Sequence, residues 1–339
     1  MSSISPKQRL LDTLARKRVD RPPVICTGGM MNAAIVDVMT KTGHTLPEGH
    51  FEAGRMAVLA TDIHEETGFE NLGIPFCMTV EAEVLGSEID FGSLASEPKI
   101  ARELFPSAKD VVARDIRSMM AAGRISQVAG AAERLARLHP DQPVIGSLTG
   151  PISTAASLVD PLQFLKELRK ERESAHRVLE YVSNFLIGFA QALVESGATA
   201  ICIGDPTATG EILGPRMFDE YAVTYLNKLI DGIHRAGVPV LVHICGEMKA
   251  VKPSIPLLHA DAISTDAFVN LRLLKQEYPQ LTTMGNLSTI LLESGDPEKV
   301  ARRTETLVHE GIDIISPACG LSTSTSLDTI RAMTDTVKG

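Results

Sequence analysis

An imidazole and a thiol stand two residues apart at the end of an apolar run, Val240-Leu241-Val242-His243-Ile244-Cys245-Gly246. If the run is a strand, its two-residue side-chain period aims His243 and Cys245 at one face, where they can share an ion. A second thiol, Cys319, ends another short apolar run, Ile314-Ile315-Ser316-Pro317-Ala318-Cys319-Gly320. Two thiolates and an imidazole suit a borderline-soft cation such as zinc, and three protein ligands with a fourth position open is the arrangement of catalytic zinc. The cysteines lie 319 − 245 = 74 residues apart, too far for a zinc finger or knuckle. Tertiary structure has to bring them together.

Two carboxylates belong to the same reading. Asp266 ends the run Ala262–Thr265 and could complete a tetrahedral site at rest, leaving when a substrate sulfur arrives; its competing role is to cap a following helix. Asp205, in Gly204-Asp205-Pro206-Thr207, could orient a substrate or a metal-bound histidine, with turn capping before a proline as the alternative. Cys202, between Ile201 and Ile203, reads as core, as do Cys26 and Cys77. The remaining histidines sit in polar or helical settings and receive no role.

The elements that must position these groups follow a strand–helix rhythm. Val24–Cys26, Glu70–Ile74, Pro143–Gly150, Ala198–Gly204, Val240–Gly246, Ala262–Thr265, Leu281–Gly285 and Ile312–Ser316 are eight short apolar runs, nearly all separated by helical periodicity. Expected helices include Lys7–Lys17, 51–67, Asp110–Ala122, Ile125–Leu138, Ser174–Ser196, Pro215–Ala236, Leu271–Tyr278 and Leu327–Val337. Asp160-Pro161 and Asp296-Pro297 supply helix starts, each an N-cap followed by a proline. The pattern predicts an α/β fold, a (β/α)8 TIM barrel formed by residues 1–339 as one domain. From Cys77 to Asp90 the pattern loosens into alternation, and 77–142 is expected to be a cap or insertion between the second and third strands. Catalytic groups of such barrels sit at the C-terminal strand ends, where His243, Cys245, Asp205, Asp266 and Cys319 all fall.

Composition narrows the chemistry. Lys and Arg number 33 against 42 Asp and Glu, a net charge of −9, which argues against nucleic acid or an anionic membrane as partner. Tryptophan is absent and aromatic residues are 4% of the chain, too few for the stacking platforms of single-strand binders. Five cysteines, an odd number, fit thiols kept for metal or packing in a reducing compartment. Met1–Arg18 is polar and basic without an apolar signal region, and no run approaches the roughly 18 apolar residues of a membrane span. A cytoplasmic protein is expected.

The sequence resembles the uroporphyrinogen decarboxylase superfamily, and within it the zinc methyltransferases that act on corrinoid proteins. Val19-Asp20-Arg21-Pro22-Pro23-Val24 is similar to the superfamily's opening. Pro75-Phe76-Cys77-Met78-Thr79-Val80 with Glu81, and Gly86-Ser87-Glu88-Ile89, resemble the methyltransferase branch. The most specific match is His243-Ile244-Cys245-Gly246 with Pro317-Ala318-Cys319-Gly320-Leu321. It implies one zinc per chain on His243, Cys245 and Cys319. The family's acidic residue, which binds zinc when the thiol is absent, falls on Asp266, where family members commonly carry glutamate.

The resemblance further implies methyl transfer from a methylcorrinoid protein, supplied in trans, to a zinc-bound small thiol such as coenzyme M. Its rivals are the reverse transfer, from a methylated small molecule to a Co(I) corrinoid protein, a decarboxylase-like enzyme, and a non-catalytic zinc barrel. True decarboxylases carry an arginine-rich segment after the first strand and a histidine near the C-terminus. Here those places hold Cys26-Thr27-Gly28-Gly29 and Cys319, so the cations that would hold porphyrinogen carboxylates are missing.

Overall fold

The computed structural model describes residues 4–121 and 123–339. Six strands, Leu72–Ile74, Val144–Thr149, Ala200–Gly204, Val240–Ile244, Ala262–Thr265 and Thr283–Met284, form one sheet in sequence order, and every neighbouring pair is parallel. Two thinner staves close the ring. Val24 pairs in parallel with Ile315, and Ile314 with Met284. Glu70 donates its backbone N–H to Val24 O at 2.9 Å, and Ile25 donates to Ile315 O at 3.0 Å. The first stave also borrows a side chain, because Asn71 accepts from Cys26 N and donates to Cys26 O, both at 2.8 Å. The fold is the expected (β/α)8 barrel, and the stave around Val24 is counted first and that around Ile315 eighth below.

Side-chain parity sorts the interior. Ile25, Ile145, Ala200, Cys202, Leu241, Ala262, Met284 and Ile314 pack together inside the barrel, plugged from below by Leu10 and Leu14 of helix Pro6–Leu14. Leu241 points inward, so His243 and Cys245, two and four residues on, do too; Ser264 and Asp266 follow Ala262 by the same rule. Cys202 is a core residue, and burial pushes its thiol up to about 11. The outward positions pack on helices such as Arg172–Glu195, whose Val178, Val182, Phe185, Leu186 and Phe189 are all buried.

Several local expectations are corrected. Within 77–90 the chain forms helix Val80–Leu85, stopped by Gly86 at φ 112°, then strand Glu88–Asp90 paired antiparallel with Lys99–Arg102. The helix expected over Asp110–Ala122 shrinks to Ile116–Met120, started by Asp115, which accepts from Arg117 N and Ser118 N; Ala122 lies outside the described residues, as do Met1–Ser3 of the polar N-terminal segment. Helix Gly123–Leu138 buries Ile125, Val128, Ala132 and Leu135. The run Pro215–Ala236 is helical from Pro215 to His234 with a π-helical turn at Phe218–Val223, and Gly214, at φ 66°, sets it off from the short turn that begins at Gly210. No described helix is long and apolar enough to cross a membrane.

Candidate metal centre

The fifth strand delivers His243, fully buried, and Cys245 follows half-buried in the turn beyond it. Cys319 reaches the same point from the loop after the eighth stave. His243 Nε2 lies 3.2 Å from Cys245 Sγ, and the two sulfurs are 3.6 Å apart. The ligand atoms of His243, Cys245 and Cys319 all lie within 4.8 Å of one another. Close approach of backbone makes this possible: a Cβ on Gly320 would stand 2.6 Å from Met30 O, so the residue after Cys319 is held to glycine.

The apposed sulfurs share a hydrogen bond, which, with help from His243, holds the Cys319 thiol down against the opposing effect of burial. The same hydrogen bond, then burial and the Cys319 charge, pushes Cys245 up. A soft cation replacing that hydrogen bond relieves both sulfurs. Two sulfurs and an imidazole converging on one point thus fit zinc, with a fourth position open.

Sequence reasoning missed two neighbours of this centre. Ser264 Oγ lies 2.9 Å from His243 Nδ1, which leaves Nε2 facing the cysteines; with Nδ1 carrying the proton, Nε2 is the ligand atom. The Met30 thioether sits 3.9 Å from Cys245 Sγ. Inward parity on the sixth strand could have found Ser264, whereas Met30 follows Gly28-Gly29 and reads as another core methionine.

The two carboxylates are placed differently from the three ligands. Asp266 accepts from Gly246 N through Oδ2 and from Phe268 N through Oδ1, both at 3.4 Å, and it stands outside the group of converging ligand atoms. Asp205 is fully buried and accepts from Ile152 N at 3.0 Å, Ser153 N at 2.9 Å and Ser153 Oγ at 2.6 Å. It therefore caps helix Pro151–Leu158 from the neighbouring strand, and burial pushes its carboxyl up to about 6. Cys26 donates to Met31 O at 2.8 Å, and Cys77 accepts from Arg124 at 3.3 Å. Most other histidines are tied down locally, as His44 is to Asp62 and His234 to Asp261.

Glu81 is buried behind the site and accepts from Thr149 N at 2.7 Å and Thr149 Oγ1 at 3.2 Å. Burial nonetheless pushes its carboxyl from 4.5 up to about 7. A raised carboxyl favours the folded state while neutral, so this contribution is complete below the unfolded value and fades as pH rises through the folded one, by about 3 kcal/mol in all. Urea unfolding at pH 4.5 and 7.5 is expected to show that loss, with Glu81→Gln flattening it. Equal pH slopes in the variant and the parent would refute the assignment.

Relatives of the chain match it along nearly its whole length. The chain is 30% identical over 340 residues to methylcobamide:CoM methyltransferase MtbA of Methanosarcina acetivorans, covering 100% of this chain and 99% of that protein. It is 29% identical to methylcobamide:CoM methyltransferase MtaA of Methanosarcina barkeri, covering 98% and 97%. The solved structure of a methyltransferase from Methanosarcina mazei superposes with a TM-score of 0.93 at 26% identity, over 99% of both chains. The family model described as uroporphyrinogen decarboxylase (URO-D) matches residues 5–339. A barrel of this shape, matched along nearly its whole length, belongs to the uroporphyrinogen decarboxylase family.

Proposed function

We propose that the protein is a zinc-dependent methyltransferase that moves a methyl group from a methylcorrinoid protein to a small thiol, coenzyme M or an analogue. The observation that carries this reading is the convergence of His243, Cys245 and Cys319 at the barrel mouth. Zinc held by these residues would supply an electrophile that binds the substrate sulfur as thiolate at neutral pH. Ser264 would fix His243 from behind, and the cavity lined by Cys319 and Met30 would admit the thiol. In the overall reaction the substrate S–H proton leaves to solvent, an S–CH3 bond forms, and the Co–CH3 bond breaks with its electron pair on cobalt. Such a displacement needs no general acid. The comparisons support the corrinoid side through the names of the relatives, and the donor set supports zinc.

Metal analysis and zinc X-ray absorption test the proposal together. One zinc per chain is expected, with a sulfur added to its shell when thiol is supplied; a shell indifferent to thiol would sink the thiol-activating reading. Asp266 is the proposed resting occupant of the open position, displaced by the thiol. Asp266→Ala is therefore expected to keep most of its zinc, and near-complete loss of metal would make Asp266 an obligatory ligand instead.

The corrinoid comes in trans, so a docking surface must ring the mouth. We read the chain as one barrel domain in which the 77–142 excursion forms part of that rim; Ala95, Ser96 and Glu97 of this segment overhang the cavity. Phe268, 80% exposed, and Ile290, 73% exposed, follow the sixth and seventh strands and offer the apolar contacts a partner protein would cover. Phe268→Ala is expected to raise the KM for the methylcorrinoid protein about tenfold while turnover of free methylcobalamin stays within about twofold. Equal losses with both donors would place Phe268 in the chemistry and not in docking.

A further inference from the structure

The thiol is the partner that this chain must recognise by itself, and the cavity that would receive it is acidic. The cavity opens over Cys319, measures about 570 Å³ and is lined by Met30, Glu97, Thr289, Glu293 and Ser322 among others. Among its described lining residues there is no lysine or arginine. Glu97 accepts from Asn32 Nδ2 at 3.3 Å and Glu293 from Ser324 Oγ at 2.7 Å. Asp266 and Glu211, beside the same centre, accept from backbone amides of Gly246 and Glu247 at 3.4 Å. All four carboxylates are thus partnered by neutral donors, and their charge is left in the mouth.

Burial raises the Glu97 carboxyl, against the lowering effect of the hydrogen bond from Asn32. A sulfonate or carboxylate would need a guanidinium, an ammonium or a cluster of free amides there. Lys249 and Lys252, the basic residues that follow Cys245 in the chain, line a separate cleft with Phe268 and Leu273. Arg124 is buried and taken up by Glu83, Thr79 and Cys77.

The geometry points to a short thiol without an anionic group, neutral or positively charged, as the substrate of this cavity, with Glu97 and Glu293 setting the preference. This rests on the thiol-binding reading above. Coenzyme M, whose far end is a sulfonate, then meets repulsion where 2-mercaptoethanol meets none and cysteamine meets attraction.

These three thiols share a two-carbon chain and differ in the charge of the far end, so they form the test. The full-length protein is loaded with Co(II) in place of zinc, and each thiol is titrated by its sulfur-to-cobalt charge-transfer absorption. The parent protein is expected to bind cysteamine at least about fivefold more tightly than coenzyme M. Glu97→Gln combined with Glu293→Gln is expected to move that ratio about tenfold toward coenzyme M. Comparing ratios between variant and parent cancels the acidity of each thiol. Preference of the parent for coenzyme M, or a ratio that the substitutions leave in place, overturns the proposal while thiol binding itself stands. Spectra indifferent to all three thiols overturn the thiol-binding reading and this proposal with it. Both substitutions are isosteric, and the single variants Glu97→Gln and Glu293→Gln, each expected to move the ratio part of the way, keep the test open should the double variant fail to fold.

Discussion

Replacing Cys245 or Cys319 by alanine is expected to strip the protein of zinc and to lower thiol methylation by at least about a hundredfold. The two sulfurs stand 3.6 Å apart, within reach of one ion. Removing either leaves an imidazole and a single thiolate, a pair too weak to hold the ion against competing chelators. Metal analysis after dialysis reads this directly. Full zinc occupancy in either variant would dissolve the ligand assignment, and with it the mechanism. Circular dichroism separates that outcome from misfolding, since neither cysteine belongs to the buried barrel core.

Ser264→Ala is expected to weaken zinc binding tenfold to a hundredfold without removing a ligand. The Ser264 hydroxyl is the partner of His243 Nδ1, at 2.9 Å, in a position closed to water. Without it, the Nδ1 proton is buried with no acceptor, and the ring gains by turning or by shifting its proton to Nε2, the atom that must face the metal. Competition against a chelator of known affinity measures the change, and Ser264→Thr, which restores a hydroxyl, is expected to recover most of it. Unchanged affinity in Ser264→Ala would show that packing alone orients His243.

The cluster of candidate ligands is partly legible in the sequence because two of its members depend on a local rule. His243 and Cys245 share a face through strand parity, and each barrel strand shows as an apolar run bounded by turns. The overlooked features depend on distant chain. Helix Pro151–Leu158 begins at Gly150, which has no capping side chain; its cap is Asp205, supplied from the next strand, so no start signal lies beside it. Ser264 and Met30 matter only because folding brings them to His243 and Cys245. Asp205 shows how a strand-end carboxylate leaves two readings open in the sequence, orientation of a substrate and capping; its oxygens are engaged by Ile152 and Ser153.

The seam of the barrel gives the metal a second office. The first and eighth staves meet through an isolated bridge, and the eighth meets the seventh through two more, whereas the fourth and fifth strands pair over four residues. An ion gripping both Cys245 and Cys319 is a clasp laid across this thin closure, fastening the tail of the chain to a well-woven stave. Losing such an ion would then loosen the ring at its weakest join as well as silence the proposed chemistry. Supply of the metal would thereby become a term in the folding equilibrium of the C-terminal segment.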